Sequence, residues 1–115
     1  MTEFYRKRNL VNLTSHPINL VNKKGEMVVI KESGIVARTQ QSAKEIGVVD
    51  DSIAVIQMEF GTIVGVPNPR DNVIYIVSAP VLNALNGTRK DCVAVHNTRR
   101  VDGQPRYAQG LRING

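Results

Sequence analysis

The chain has 115 residues, 42% of them hydrophobic and 22% charged, with a formal charge of +5 and a single cysteine. That is long enough for one domain with a core and too short for a catalytic domain plus a cofactor domain; it excludes a disordered chain, and no apolar run approaches the ~18 residues that cross a bilayer. The lone Cys92 excludes an internal disulfide, argues against structural zinc and fits a reducing cytoplasm, with buried packing as its expected role.

Residues 1–8 include Arg6, Lys7 and Arg8, but Asn9, Asn12 and Thr14 interrupt any apolar stretch behind them, so they read as a flexible basic N-terminal arm and not as a secretion signal. Strands are expected over 10–13 and 18–21, either side of Thr14-Ser15-His16-Pro17. Asn22-Lys23-Lys24-Gly25 then turns the second of these into a strand over 27–31, completing a hairpin. Ser33-Gly34 leads to a strand over 35–39 with Arg38 pointing out of the sheet. Ser42-Ala43-Lys44-Glu45 has capping-box spacing, and Gly47 follows soon after, which predicts a short surface helix of a turn or two.

From 53 to 60 the apolar Ala54, Ile56, Met58 and Phe60 alternate against Gln57 and Glu59, the pattern of a half-buried strand. Gly61 allows a bend or bulge, after which 62–66 is expected to return as an antiparallel partner. Pro67-Asn68-Pro69-Arg70-Asp71-Asn72 is a turn-rich loop. Val73 to Val77 is apolar on both faces, as a central strand is. It feeds a short helix with Ser78 at the N-cap, Pro80 in the first turn and Gly87 at the left-handed C′ position. Weaker strand signals at 92–95, Tyr107 and 111–113, divided by Asp102-Gly103-Gln104-Pro105, make a final hairpin. The fold class expected is α+β and β-rich: one small domain, residues 1–115, of mostly antiparallel strands with one or two short helices.

Charge is segregated. Residues 1–31 carry six basic and two acidic groups, residues 86–115 the same, giving +4 each, while residues 32–71 carry three basic and six acidic, −3, and residues 72–85 none. The basic ends either converge on an anionic ligand or acidic partner surface, or are ordinary solvated charge. A nucleophilic triad can be assembled on paper from Ser78, His16 or His96, and Asp91, but Ser78 lacks a Gly-x-Ser-x-Gly elbow and is explained by helix capping. His16, His96 and Cys92 lack metal-ligand spacing, and no phosphate-loop glycine pattern is present, so neither enzyme, metal nor cofactor is read. Long nucleic acid is not expected, because there is no tryptophan and Phe60 and Tyr75 are assigned to the core, leaving no stacking platform.

A small phosphate-bearing ligand demands less. Arg99, Arg106 and Arg112 are candidate phosphate partners, Tyr107 a stacking face and Asn97 a base or ribose hydrogen-bonding group; Ser78 with the amides behind it is a candidate anion seat, drawing countercharge from Arg89. The alternative is that these arginines coat an exposed hairpin.

Asn12-Leu13-Thr14-Ser15-His16-Pro17-Ile18 resembles the opening Asn-Leu-Thr-Pro-His-x-Ile of a family of small phage and prophage proteins, with Ser15 where proline is usual. The resemblance continues through Ser33-Gly34-Ile35-Val36-Ala37-Arg38, Phe60-Gly61-Thr62-Ile63-Val64-Gly65-Val66-Pro67, Tyr75-Ile76-Val77-Ser78 and Arg89-Lys90-Asp91-Cys92-Val93-Ala94. It implies a phage accessory protein acting in the host bacterial cytoplasm. Within that setting the size, β-rich reading and arginine-rich C-terminal end look like the Thoeris anti-defence sponges, oligomers that sequester cyclic ADP-ribose-type immune signals without cleaving them. That resemblance implies a homo-oligomer with a small anionic nucleotide as its partner, with no membrane and no catalysis. The alternatives are a phage structural or protein-interaction module whose basic ends meet an acidic partner surface, and a minimal hydrolase using Ser78 and a histidine.

Overall fold

A computed structural model describes Tyr5 and residues 8–101 and 104–114, except for the side chains of Phe60, Val101, Gln104, Pro105 and Arg106. In chain order the elements are β1 (Asn9–Asn12), β2 (Ile18–Val21), β3 (Met27–Ile30), β4 (Arg38–Val49), β5 (Ile53–Val64), β6 (Val73–Ile76), α1 (Ala79–Leu85), β7 (Cys92–Val101) and β8 (Gln104–Arg112). Most of the N-terminal basic arm, the Asp102-Gly103 part of the last turn, and the core assignment of Phe60 lie outside what is described.

Six strands form one sheet in the order β1-β6-β7-β8-β2-β3, and β4 and β5 form a separate two-stranded ribbon. The sheet is mixed, which corrects the expectation of mostly antiparallel strands: β1–β6, β6–β7 and β2–β8 run parallel, β2–β3 and β7–β8 antiparallel. The reason lies in the strand with two apolar faces. Val73, Ile74, Tyr75 and Ile76 are all buried, so β6 takes a neighbour on each edge, and α1 carries the chain over the sheet to return it parallel as β7. The sheet then bends back on itself. A lone parallel bridge joins Asn12 to Glu32, just past β3, and the Ser33 amide donates to the Asn12 carbonyl at 3.0 Å.

That curvature separates two apolar clusters. The inner one takes Leu10, Ile18, Leu20, Ile30, Ile74, Ile76, Val93, Val95, Ala108 and Leu111, from all six strands, with Tyr5 at its edge. The outer one packs Val81 and Leu82 of α1 against Leu13, Tyr75, Val77, Cys92 and Ala94, with Ala37 and Ile63 from the foot of the β4–β5 ribbon. Helix α1 has seven residues; Ser78 is its N-cap residue with extended backbone but makes no side-chain cap bond, Asn86 is a left-handed C-cap, and Gly87 is left-handed at φ 73° in the C′ position expected of it.

The long β4–β5 hairpin overturns two expectations. Residues 42–47 are strand and not helix, because Ser42, Ala43, Lys44 and Glu45 each face a β5 partner (Glu59, Met58, Gln57 and Ile56), and that ladder serves backbone groups which one or two isolated helical turns would leave open. Residues 62–64 continue β5 and do not reverse. The irregularity there is the expected bulge: from Thr39↔Ile63 to Gln41↔Phe60, β5 spends one more residue than β4, and a Cβ on Gly61 would meet the Gln40 carbonyl oxygen at 2.9 Å. A third finding is burial. Ile56 and Met58, on the face expected to be covered, are each 49% exposed.

At the hairpin tip Asp50 and Asp51 both hold positive φ and the Ser52 amide donates to the Val49 carbonyl at 3.2 Å, the geometry of a type I′ turn. The hairpin draws the molecule out to 60 Å along its longest axis, with a radius of gyration of 17.5 Å against the ~13 Å of a compact chain this long. No helix among the described residues is long and apolar enough to cross a membrane.

Candidate functional site

The Asn-Leu-Thr-Ser-His segment is built around one buried amide. Asn12 is 1% exposed; its Nδ2 donates to the carbonyls of His16 at 2.9 Å and Ile30 at 3.0 Å, and its Oδ1 accepts from the Thr14 amide at 2.9 Å and the Thr14 hydroxyl at 2.6 Å. All four hydrogen-bonding positions of the amide are filled. The result is a loop from Thr14 to Pro17 fixed to the end of β3, with the His16 side chain held at the surface.

His16 and Pro17 form one wall of a groove of about 320 Å³ whose other wall is the C-terminal ribbon, through Val95, Thr98, Arg100 and Tyr107. The volume is at the lower end of the range for small-molecule sites. Tyr107 stands opposite Arg99 in the β7–β8 register. Asn97 donates through Nδ2 to Gln109 Oε1, and Arg99 Nη2 donates to the same oxygen at 3.3 Å. Three of the sequence-predicted residues, Asn97, Arg99 and Tyr107, are thus neighbours on one ribbon. Arg106 belongs to β8, but its side chain lies outside the described residues.

The other candidates lie elsewhere. Arg112 Nη1 donates to Asn114 Oδ1 at 2.7 Å, and Asn114 Nδ2 to Asn83 Oδ1 at 2.7 Å, a chain that ties the C-terminal end to α1. Arg89 is held in a fork: Nε donates to Asp91 Oδ1 and Nη2 to Asp91 Oδ2, both at 2.8 Å, and Nη2 also reaches the Pro67 carbonyl at 2.9 Å. It fastens the 67–72 loop to the start of β7. The hydrogen bond from Arg89 holds the buried Asp91 carboxyl below its ordinary range, outweighing the opposing effect of desolvation. Desolvation pushes the neighbouring Cys92 thiol up to about 11.

Ser78 lines a different hollow, with Thr14, His16, Val36 and Ala37, so the paper triad is not assembled around Asp91, whose carboxylate is taken by Arg89. Among the described residues no three His, Cys, Asp or Glu side chains gather as a metal site would require.

Sequence reasoning missed four contributors to these surfaces. Gln109 sits in β8, and only the strand register brings it to Asn97 and Arg99. Arg8, Arg70 and Lys90 line a second groove, of about 330 Å³, beside the Arg89–Asp91 pair. There Arg8 of the N-terminal segment and Arg89 and Lys90 of the C-terminal segment line one groove, together with the carboxylates Asp71 and Asp91. Comparison with protein-family models, with curated proteins and with solved structures finds no match to this chain. The fold and its surfaces alone therefore define the class: a β-rich domain with one βαβ crossover, two shallow basic grooves and a projecting hairpin.

Proposed function

We propose that this chain is a non-catalytic binding protein that captures a small anionic nucleotide at the groove between the His16 loop and the C-terminal ribbon. One observation carries the reading: Tyr107 and Arg100 line the groove that faces the fixed His16–Pro17 loop, with Arg99 opposite Tyr107 in the strand register, so an aromatic face and a guanidinium group border one cavity. The motif's resemblance to small phage proteins sets that capture in an infected bacterial cytoplasm. A cyclic ADP-ribose-type immune signal, held intact by a homo-oligomer, suits the groove because it carries both a pyrophosphate and an adenine face.

The test is titration calorimetry of the purified chain with cyclic ADP-ribose isomers and cyclic oligonucleotides, followed by heating and recovery of the ligand. Saturable heat with one of them, lost in Tyr107→Ala and Arg100→Ala, with the ligand recovered unchanged, supports the reading. No heat with any of them overturns capture, and a cleaved ligand overturns the non-catalytic part.

A second reading, a protein-interaction module, is favoured by the distal part of the long hairpin, where Ile46, Val48, Val49 and Ile53 are half or more exposed. Retention of a protein partner without any small-molecule heat separates the two readings.

A further inference from the structure

The distal half of the β4–β5 hairpin is apolar on both faces. Ile46, Val48, Val49, Ile53, Val55 and Ile56 are between 37% and 59% exposed. With Met58 they present on the order of 600 Å² of exposed surface, shared between the two faces of the ribbon, against the ~800 Å² that one partner contributes to a standard interface. Among the described residues β4 and β5 pair only with each other, so each keeps an open backbone edge. A ribbon of this kind is stable in water when something covers it.

Charge narrows what that is. Between Glu45 and Val55 the hairpin carries Glu45, Asp50 and Asp51 and no basic residue, while the two chain segments outside residues 32–71 carry +4 each. Laying two distal hairpins together would set like charges side by side; laying one on the body of another copy sets acid against base. The body has a receptive edge. Asn12 closes the far end of β3, where it donates to the Ile30 carbonyl and bridges Glu32, but among the described residues the Met27–Val29 stretch pairs on one side only, with β2, and Met27, Val28 and Val29 are 53%, 38% and 54% exposed. Lys23, Lys24 and Lys31 flank it and outnumber Glu26 and Glu32.

We infer that the occupant is a second copy of this chain: the distal β4–β5 hairpin of one protomer adds to the β3 edge of another, covering both apolar strips and bringing the acidic hairpin tip to the lysine-flanked strand. This deepens the interaction reading and does not depend on the ligand reading.

Sedimentation velocity of the full chain, over a concentration series and at low and high salt, tests it with Ile56→Lys on the hairpin, Val29→Lys on β3, and far-UV circular dichroism to confirm folding. Both side chains are about half exposed, so neither substitution disturbs a core. Concentration-dependent association is expected, weakened at least about tenfold by either variant and by Asp50→Lys/Asp51→Lys. An equal mixture of Ile56→Lys and Val29→Lys chains should regain association that neither has alone, because one intact hairpin then meets one intact β3.

A wild-type chain that stays monomeric up to about 100 μM overturns the proposal while leaving another protein as the hairpin's partner. Association lost in Ile56→Lys but untouched in Val29→Lys overturns it in favour of hairpin-to-hairpin contact. Association that persists in Ile56→Lys overturns both it and the interaction role of the hairpin.

Discussion

Replacing Asn12 by alanine is the sharpest test of how the fold is held. The substitution removes four hydrogen bonds at once and leaves the Ile30 carbonyl and the Thr14 amide without their partner, while the His16 carbonyl keeps the Thr14 hydroxyl at 3.0 Å. His16 is exposed, so its carbonyl also reaches water at little cost; Thr14 and Ile30 are half-buried, and their groups bear part of the desolvation penalty. With about 1 kcal/mol for a neutral bond whose partner is rehydrated and 1–3 kcal/mol for a group left unpaired, the expected loss is ~2–4 kcal/mol. That corresponds to a urea midpoint lower by about 1–2 M, or a Tm lower by roughly 8–16 °C, read by circular dichroism. Thr14→Val removes the hydroxyl that Asn12 Oδ1 and the His16 carbonyl share and should cost about 1 kcal/mol. The double variant should lose less than the two singles added, because the nearer of the hydroxyl's two acceptors, Asn12 Oδ1, is already gone in Asn12→Ala. An Asn12→Ala protein within 0.5 kcal/mol of wild type, the scale of ordinary surface changes, would refute the buried clip and move the motif's constraint to a ligand.

Arg89→Ala strands a nearly buried carboxylate and should destabilise by about 3 kcal/mol at neutral pH. Because Asp91 titrates below its ordinary value of 3.8 in the folded protein, the stability it contributes is complete above that pH and is lost as pH falls through the lower folded value. The gap between wild type and Arg89→Ala should therefore be flat above about pH 5 and narrow in acid; a gap constant down to pH 2 would contradict the pairing. With its thiol pushed up to about 11, Cys92 should resist a disulfide reagent at pH 8 until denaturant is added, and rapid full labelling of the native protein would show the site open. Gly65 has φ +86° and a Cβ there would lie 2.4 Å from the Val36 carbonyl oxygen, so Gly65→Ala should cost at least 2 kcal/mol or so in a urea melt, whereas Gly25→Ala, with open space around it, should cost only its turn strain of about 1 kcal/mol.

Where the sequence was read correctly, the information was local. Asn22 to Gly25 turns as its side chain demands, with Asn22 Oδ1 accepting from the Lys24 and Glu26 amides, and Gly25 sits at φ 81°. The two apolar faces of Val73 to Val77 marked the central strand, and Pro80 and the glycine beyond the helix marked α1. The parallel pairing of β6 with β7 was implicit in that same pair of observations, since a strand followed at once by a helix most simply returns as a parallel neighbour. Arg89 shows the opposite case. A basic residue four positions past a helix end reads as available charge, and only the fold reveals that Asp91 and the Pro67 carbonyl already occupy its donors.

The hairpin marks a deeper limit on reading burial from pattern. Alternation at Ala54, Ile56 and Met58 states that one side of a strand is to be removed from water; it carries no term for whose surface removes it. The capping-box signal at Ser42 and Glu45 was worth less than 2 kcal/mol, and a ladder of cross-strand partners in β5 overrides it. The same twelve-residue strands then left Ile46, Val48, Val49 and Ile53 outside any core of this chain, with an acidic turn at their end. A sequence that places a type I′ turn, two bulges and an apolar ribbon in register has specified the hairpin's shape as closely as the core's. Specified shape with uncovered apolar faces is what a surface built for another chain looks like, and among the described residues the Met27–Val29 stretch of β3, apolar, unpaired on one side and flanked by lysines, matches it in all three respects.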